Sequence, residues 1–303
     1  MLLMSWIVVS LLAASVMASI SVLDKMIMGY ARSRLTLPLL IGFAQTSIGI
    51  LVTIVTWLPE EATWEGTGWS FLSGALFGLS AQLHMRVLFS REVSRTIPVT
   101  EASPVFVALI AVAFLGESLA AIQWAAIVAT VTGAAMLSLG TDGGYRRIFL
   151  HDSFYILMLG AFIMATANVT SKVALNDLPV LFTHGLRMLS LGIVFLAFNL
   201  RATPWRDVRS LVTRRSPALL LVSVNELAIA NAGLLLMLWA LSMGPVSLVV
   251  ALLGTRAFFV VVYSTALAMV WKGALGEKIT TGTLAVKVGS TALIVVGVTI
   301  IAI

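Results

Sequence analysis

Charged side chains inside long apolar stretches are the residues of this 303-residue sequence that point most directly to chemistry. Arg256 and Glu226 each lie near the middle of such a stretch, and Arg187, Glu101 and Gln45 lie within three others. If these stretches cross a bilayer, each charge costs at least about 2.5–3.5 kcal/mol on insertion scales, so an ionisable residue there is a candidate functional group. These side chains are therefore the first candidates for binding a ligand or transferring a proton.

The two arginines, Arg256 and Arg187, are predicted to hold an anionic group. A guanidinium stays charged when it is removed from water, and it can bind a carboxylate or phosphate through two parallel hydrogen bonds. Further predicted substrate-binding residues are polar or aromatic side chains in the same stretches: Gln45, Asn225, Asn231, His184 and Trp239. For Trp239, a place in the interfacial aromatic belt is the alternative.

Glu226 and Glu101 are the predicted proton-coupling groups. Burial favours the neutral form of a carboxyl group and a nearby arginine favours the ionised form, so substrate and proton would compete for one charge balance. The alternative is that Arg256 with Glu226, and Arg187 with Glu101, form permanent ion pairs that only fix the register of the helices.

Four residues are predicted to form gates: Lys25, Lys172, Pro98 and Pro104. The two lysines occupy matching positions in an internal repeat and lie near opposite membrane faces, although lysines there also extend to lipid headgroups. The two prolines remove backbone donors and bend the helix that carries Glu101 between them. This helix is therefore expected to line a cavity or a gate.

No metal, cofactor or enzymatic site is expected. The sequence contains no cysteine and only three histidines, His84, His151 and His184, which are far apart in the sequence. The glycine-rich segment 140–144 lacks the lysine and the flanking strand of a phosphate-binding loop. Since no candidate nucleophile has a base at a suitable spacing, we expect no catalysis.

The elements that must position these residues are membrane-spanning helices. The sequence is 60% hydrophobic and 11% charged, with a mean hydropathy of +1.06, whereas soluble domains carry about 25% charged residues. This composition excludes a cytosolic enzyme, a disordered scaffold and a nucleic-acid-binding module.

Since a spanning helix needs about 20 apolar residues, we predict an all-α polytopic membrane protein with ten spans. They lie near residues 4–23, 36–57, 67–88, 96–115, 119–139, 153–173, 180–199, 218–241, 246–271 and 282–303. The first run lacks a basic leading segment, so a retained span is expected there rather than a cleaved signal peptide.

An internal repeat divides these spans into two halves. Three pairs of segments align: Met17–Lys25 with Met164–Lys172, Leu88–Ser94 with Leu241–Ser247, and Leu115–Glu117 with Leu275–Glu277. We therefore predict two five-helix repeats, residues 1–145 and 146–303. An odd number of crossings in each half makes the repeat inverted, which is an arrangement typical of transporters.

The basic residues predict the orientation. Nearly all of the 19 Lys and Arg residues fall in loops on the side opposite the N-terminus, whereas the N-terminal side has Lys172 and several acidic residues. Because cytoplasmic loops are enriched in Lys and Arg, we expect the basic loops in the cytoplasm of a bacterial-type inner membrane and both termini outside.

Glycines and two glutamates have predicted structural roles. Small residues permit close approach of membrane helices, and we expect this of Gly42, Gly49, Gly74, Gly78 and Gly185. Glu117 and Glu277 lie in helix-connecting turns and are expected to cap or orient helices rather than to bind substrate.

Two sets of segments resemble the drug/metabolite transporter superfamily, and within it EamA-type proteins. They are Ser103–Glu117, Gln123 and Gly133–Leu137 in the first half, and Gly244–Leu248, Leu275–Glu277 and Gly297 in the second. The resemblance implies a ten-helix carrier with a central cavity lined mainly by helices 3, 4, 8 and 9 and flanked by helices 1, 2, 6 and 7. Members export amino acids, drugs and metabolites, and relatives carry nucleotide sugars. Well-known members place both termini in the cytoplasm, opposite to the charge count here.

The sequence thus predicts a secondary active transporter, a proton-coupled exporter or exchanger, that moves a small anionic or zwitterionic metabolite by alternating access. A flippase for a lipid-linked sugar or lipid phosphate is the alternative. The expected partners are the bilayer and this substrate, with no nucleic acid, and both a monomer and a homodimer remain open.

Overall fold

The computed structural model describes residues 2–28, 35–57, 59, 62–90, 102–139, 152–270, 289–290, 292–294, 296–298 and 300, and these form helices and short connections without a strand. The elements are α1 (Leu2–Met28), α2 (Thr36–Thr56), α3 (Trp64–Ser90), α4 (Ser103–Phe114), α5 (Ala121–Leu139), α6 (Asp152–Asp177), α7 (Val180–Asn199), α8 (Ala202–Thr213), α9 (Pro217–Ser223), the π-helix π1 (Val224–Ala230), α10 (Asn231–Met243), α11 (Val246–Leu253) and α12 (Arg256–Val270). The described positions from 289 to 300 are also helical.

The protein is an all-α membrane protein. Among the described residues, six helical segments are long and apolar enough to cross a bilayer: Trp6–Asp24, Thr36–Thr56, Tyr155–Asp177, Val180–Asn199, Pro217–Met243 and Val246–Tyr263. Their outer surfaces are apolar, as on α2, where Ile50, Leu51, Ile54 and Val55 are exposed. Side chains of this kind suit contact with lipid rather than with water.

Some predictions fall outside the part of the chain that the structure describes. These concern Pro98, Glu101, His151 and Glu277, and the side chain of Lys25. The gate, proton-coupling and capping roles given to these residues stay predictions.

Three features of the helices differ from the sequence prediction. The basic connection around residues 201–215 was expected to be a loop, but it contains the amphipathic helix α8. The span at 218–241 is interrupted by π1, and the span at 246–271 is broken at Gly254–Thr255 between α11 and α12. Hydropathy alone does not reveal either interruption, because Pro217–Met243 and Val246–Tyr263 each remain apolar enough on average to cross a membrane.

Helix α7 lies at the centre of the bundle. Residues 182–188 are buried without interruption, so this helix has neighbours on all sides. It contacts α2 through Gly49, where an added Cβ would lie 2.3 Å from the backbone nitrogen of Leu189. It contacts α3 through Gly74, where an added Cβ would lie 2.1 Å from the carbonyl oxygen of Arg187. Added Cβ atoms at Gly42, Gly78 and Gly185 would also meet atoms of the facing helix at 2.8–3.1 Å, so the predicted role of these glycines in close helix packing is confirmed.

Gly74→Ala is expected to destabilise the bundle by about 1–3 kcal/mol, because the new methyl group overlaps the α7 backbone and forces α3 away. Thermal unfolding of the purified protein in detergent checks this. Gly68→Ala is the matched control on the same helix, since nothing lies within 4 Å of its added Cβ. The control is expected to keep or raise the melting temperature, because alanine is the better helix former. Equal melting temperatures for the two variants would contradict the packing argument.

Candidate functional site

A buried network of carboxyl and amide groups joins α1, α2 and π1. The Gln45 Nε2 donates a hydrogen bond to the Glu226 Oε2 at 3.1 Å. The Asn225 Nδ2 donates to the Glu226 Oε1 at 3.1 Å and to the Asp24 Oδ1 at 2.7 Å. One amide therefore bridges two carboxyl groups, and we call Asp24, Gln45, Asn225 and Glu226 the carboxyl cluster.

The π-helix π1 places two consecutive polar residues inside the bundle. Asn225 and Glu226 are both buried, whereas Val224 and Leu227 on either side are exposed. The backbone carbonyl of Glu226 accepts hydrogen bonds from the Asn231 Nδ2 at 2.6 Å and from the Gln45 Nε2 at 3.3 Å. Side-chain amides thus bind a carbonyl inside the π-helical turn, and such turns occur frequently at functional sites.

His184 connects α7 to this region. Its Nε2 lies 3.0 Å from the Asn231 Oδ1. Since the Asn231 Nδ2 already donates to the Glu226 carbonyl, the Asn231 Oδ1 is the acceptor and the His184 Nε2–H is the donor. The His184 Nδ1 is buried and has no hydrogen-bond partner within the described part of the chain.

Arg187 is a fully buried cation one turn after His184. Its exposed fraction is 0%, and none of its Nε, Nη1 and Nη2 atoms has a hydrogen-bond partner among the residues described. Its Cζ lies 4.6 Å from the centroid of the Phe77 ring, which gives a cation–π contact. A buried charge without hydrogen bonds costs several kcal/mol, so this site is suited to an anionic partner.

Arg256 lies where a spanning helix breaks. Helix α11 ends at Leu253, the Gly254 and Thr255 amides bond three or four residues back at 3.0–3.2 Å, and α12 begins at Arg256. The Arg256 side chain is half-buried and lies close enough to Asp24 and His84 to interact with them electrostatically. The break therefore brings a positive charge next to the carboxyl cluster.

Asp24 is the site residue that the sequence analysis missed. It stands at the end of an apolar run, beside Lys25, and was assigned to the following loop. In the structure α1 continues to Met28, so Asp24 lies within the helix and faces Asn225. The internal repeat contained a signal, because it aligns Asp24 with Ser171, which lies inside the predicted span 153–173. In the structure Ser171 is buried, and its Oγ lies 2.5 Å from the Ser73 Oγ.

The structure does not bring every predicted site residue into the cluster. Trp239 is 51% exposed, which places its ring on the surface of the bundle, as expected of a belt residue. Pro104 lies in the first turn of α4, where its missing N–H leaves no helical hydrogen bond unmade. The sequence predicts Pro104 inside a helix that it bends, whereas in the structure Pro104 lies at the start of α4.

Glu117 and Lys172 hold the turn between α10 and α11 from two sides. The Lys172 Nζ donates to the carbonyl oxygens of Leu241 at 2.6 Å and Gly244 at 3.0 Å. The Glu117 carboxylate accepts from the backbone N–H of Val246 at 2.7 Å and from the backbone and hydroxyl of Ser247. The prediction that Glu117 caps a helix is confirmed. Lys172, predicted to be a gate, caps carbonyls at a helix end.

Glu117→Gln is expected to lower the free energy of unfolding by about 0.5–2 kcal/mol, because it removes the charged acceptor at the N-terminus of α11. Unfolding by denaturing detergent measures this difference. Glu65→Gln, in the exposed first turn of α3, is the control and is expected to cost less, because the Glu65 carboxylate is exposed and accepts a hydrogen bond of 3.3 Å from the Trp69 side chain rather than from backbone N–H groups of a helix start. A loss of stability in the control as large as in the Glu117 variant would contradict the capping role.

Comparisons with known proteins show the fold and no family. No family model matches the sequence, and no curated protein matches it. A solved structure described only as "Crystal structure of protein" is similar, with a TM-score of 0.69 and 18% sequence identity. The match covers 98% of this chain and 96% of that chain, so the two share a fold over nearly their whole lengths.

Proposed function

We propose that this protein is a proton-coupled secondary active transporter, of the EamA type in the drug/metabolite transporter superfamily, that moves a small anionic or zwitterionic metabolite. The observation that carries this proposal is Arg187, whose guanidinium is fully buried and has no hydrogen-bond partner in the described residues. Membrane helices do not need such a group for association, since hydrogen bonds between them average well under about 1 kcal/mol. A carboxylate or phosphate of a substrate would supply the missing partner.

The carboxyl cluster supports proton coupling. Asp24 and Glu226 interact electrostatically and share the Asn225 amide. A proton bound to one of them relieves their mutual repulsion, and so does a positive charge brought nearby. Arg256 provides a positive charge close to Asp24, and Arg187 lies close enough to His184 to interact with it, while His184 is joined through Asn231 to the Glu226 backbone. An anionic substrate that reaches these arginines would change the charge balance that the carboxyl groups experience. Release or uptake of a proton is the compensating step.

The two interrupted spans support alternating access. In secondary transporters, discontinuous helices near the midplane form the substrate and ion sites at the interface of inverted repeats. Here π1 carries Glu226, and the α11–α12 break carries Arg256. We propose that the chain forms ten helices in two inverted repeats, residues 1–145 and 146–303, in a bacterial-type inner membrane with basic loops in the cytoplasm and both termini outside.

Reconstitution into vesicles tests the proposal. Metabolites are first screened by thermal shift, because a ligand that binds the folded state raises its melting temperature. Compounds that stabilise the protein are then added to vesicles loaded with a pH-sensitive dye. Transport is supported by a lumenal pH change that requires the protein and a soluble anion. Scrambling of a labelled lipid without any soluble substrate would replace this proposal with a flippase.

A further inference from the structure

We propose that α8 carries a binding site for the phosphate of an anionic phospholipid headgroup. A groove of about 310 Å³ on this helix is lined by three arginines and two hydroxyl residues: Arg206, Arg209, Arg214, Ser210 and Thr213. All three arginines are exposed, and none of them forms an ion pair with a carboxylate in the described parts of the chain. Guanidinium and hydroxyl groups together are the donors that bind phosphate oxygens.

The position of α8 favours a lipid over a free anion. This helix connects two membrane spans, Val180–Asn199 and Pro217–Met243, so it lies at one face of the bilayer. Its Trp205 is 49% exposed, and the Trp205 ring lies 5.9 Å from the ring of Phe43 on α2, between centroids. Exposed tryptophans of this kind mark the level of the headgroups.

The opposite side of α8 is anchored to the bundle. Pro204, Val208 and Leu211 are buried, and the buried Asp207 accepts a hydrogen bond of 2.6 Å from the Thr36 hydroxyl. Thr36 is the first residue of α2, and α2 also carries Gln45 of the carboxyl cluster. Helix α8 is therefore packed firmly against the bundle, and the arginines of the groove lie on its exposed side.

The experiment compares headgroups on the full-length protein in a neutral detergent. Short-chain phosphatidylglycerol, short-chain phosphatidylcholine and inorganic phosphate are each titrated while the melting temperature is recorded. We expect phosphatidylglycerol to raise the melting temperature of the wild-type protein, and the other two to have little effect at equal concentration. The double variant Arg206→Gln, Arg209→Gln is expected to bind phosphatidylglycerol at least about tenfold more weakly.

The matched control is the double variant Arg201→Gln, Arg215→Gln, which removes the same charge from exposed residues just outside the groove. We expect this control to bind phosphatidylglycerol as the wild-type protein does. An equal loss in the control would show diffuse electrostatic attraction and overturn the site. An equal response to phosphatidylcholine, or to inorganic phosphate, would overturn the assignment to an anionic lipid. If the first double variant does not fold, Arg209→Gln is compared with Arg215→Gln under the same criteria.

Discussion

Arg187→Met is expected to abolish binding of the anionic substrate while leaving the protein as stable as the wild type or more stable. The guanidinium is fully buried without a hydrogen bond in the described part of the chain, and it makes a cation–π contact with the Phe77 ring. Replacing a buried charge by an apolar side chain of similar volume is often neutral or stabilising by about 1–4 kcal/mol. Substrate affinity is expected to fall at least about 100-fold, as when one partner of a buried charge pair is truncated.

Two measurements on one preparation separate a binding role from a structural one. The melting temperature reports stability, and its rise with a stabilising anion from the metabolite screen reports affinity. Arg86→Met is the control, because Arg86 also contacts a ring, that of Phe198 at 5.3 Å, but is exposed. A lower melting temperature with unchanged affinity in the Arg187 variant would show that this arginine only supports the fold.

Glu226→Gln is expected to reduce uptake driven by a pH gradient at least about tenfold while exchange of substrate across the membrane continues. The glutamine keeps an oxygen that can accept from Gln45 or Asn225, but it no longer binds and releases a proton. Asp24→Asn is expected to act in the same direction, since its carboxyl shares the Asn225 amide. Uptake into vesicles with and without an imposed pH gradient measures both variants.

Glu65→Gln is the control for the carboxyl variants, because Glu65 is exposed in the first turn of α3. It removes one carboxyl group without touching the cluster and is expected to transport as the wild type does. Unchanged gradient-driven uptake in both the Glu226 and the Asp24 variants would exclude the carboxyl cluster as the coupling site. Loss of exchange as well as coupling would instead indicate that the variant disrupts substrate binding.

Much of the carboxyl cluster and its surroundings could be predicted from sequence, because polar residues within apolar spans are conspicuous. Gln45, His184, Asn225, Glu226 and Asn231 were found in this way, and the structure connects them by hydrogen bonds. Arg187 was found by the same reasoning. Its guanidinium has no hydrogen-bond partner among the described residues. The sequence could not predict this, because it depends on which side chains surround Arg187 in the fold and not on their spacing along the chain.

The features that sequence reasoning missed depend on tertiary contacts or on short amphipathic patterns. Within the π-helix, the Glu226 carbonyl accepts hydrogen bonds from side chains of α2 and α10, and local propensity along the chain does not reveal such tertiary contacts. The break at Gly254–Thr255 lies within a span, Val246–Tyr263, whose mean hydropathy stays high enough to cross a membrane, so hydropathy does not mark it. Helix α8 is too short and too basic to be found by its hydropathy. Its signal is the helical spacing of the residues that become buried, Pro204, Val208 and Leu211.

The lumenal pH of vesicles that contain the purified protein is the most direct test of the proposed coupling between buried charges and transport. A stabilising anionic metabolite added outside is expected to change this pH with the wild-type protein, and to leave it unchanged with Arg187→Met or Glu226→Gln. A lumenal pH that responds equally in all three proteins, or in none of them while the labelled metabolite still enters, would contradict the account.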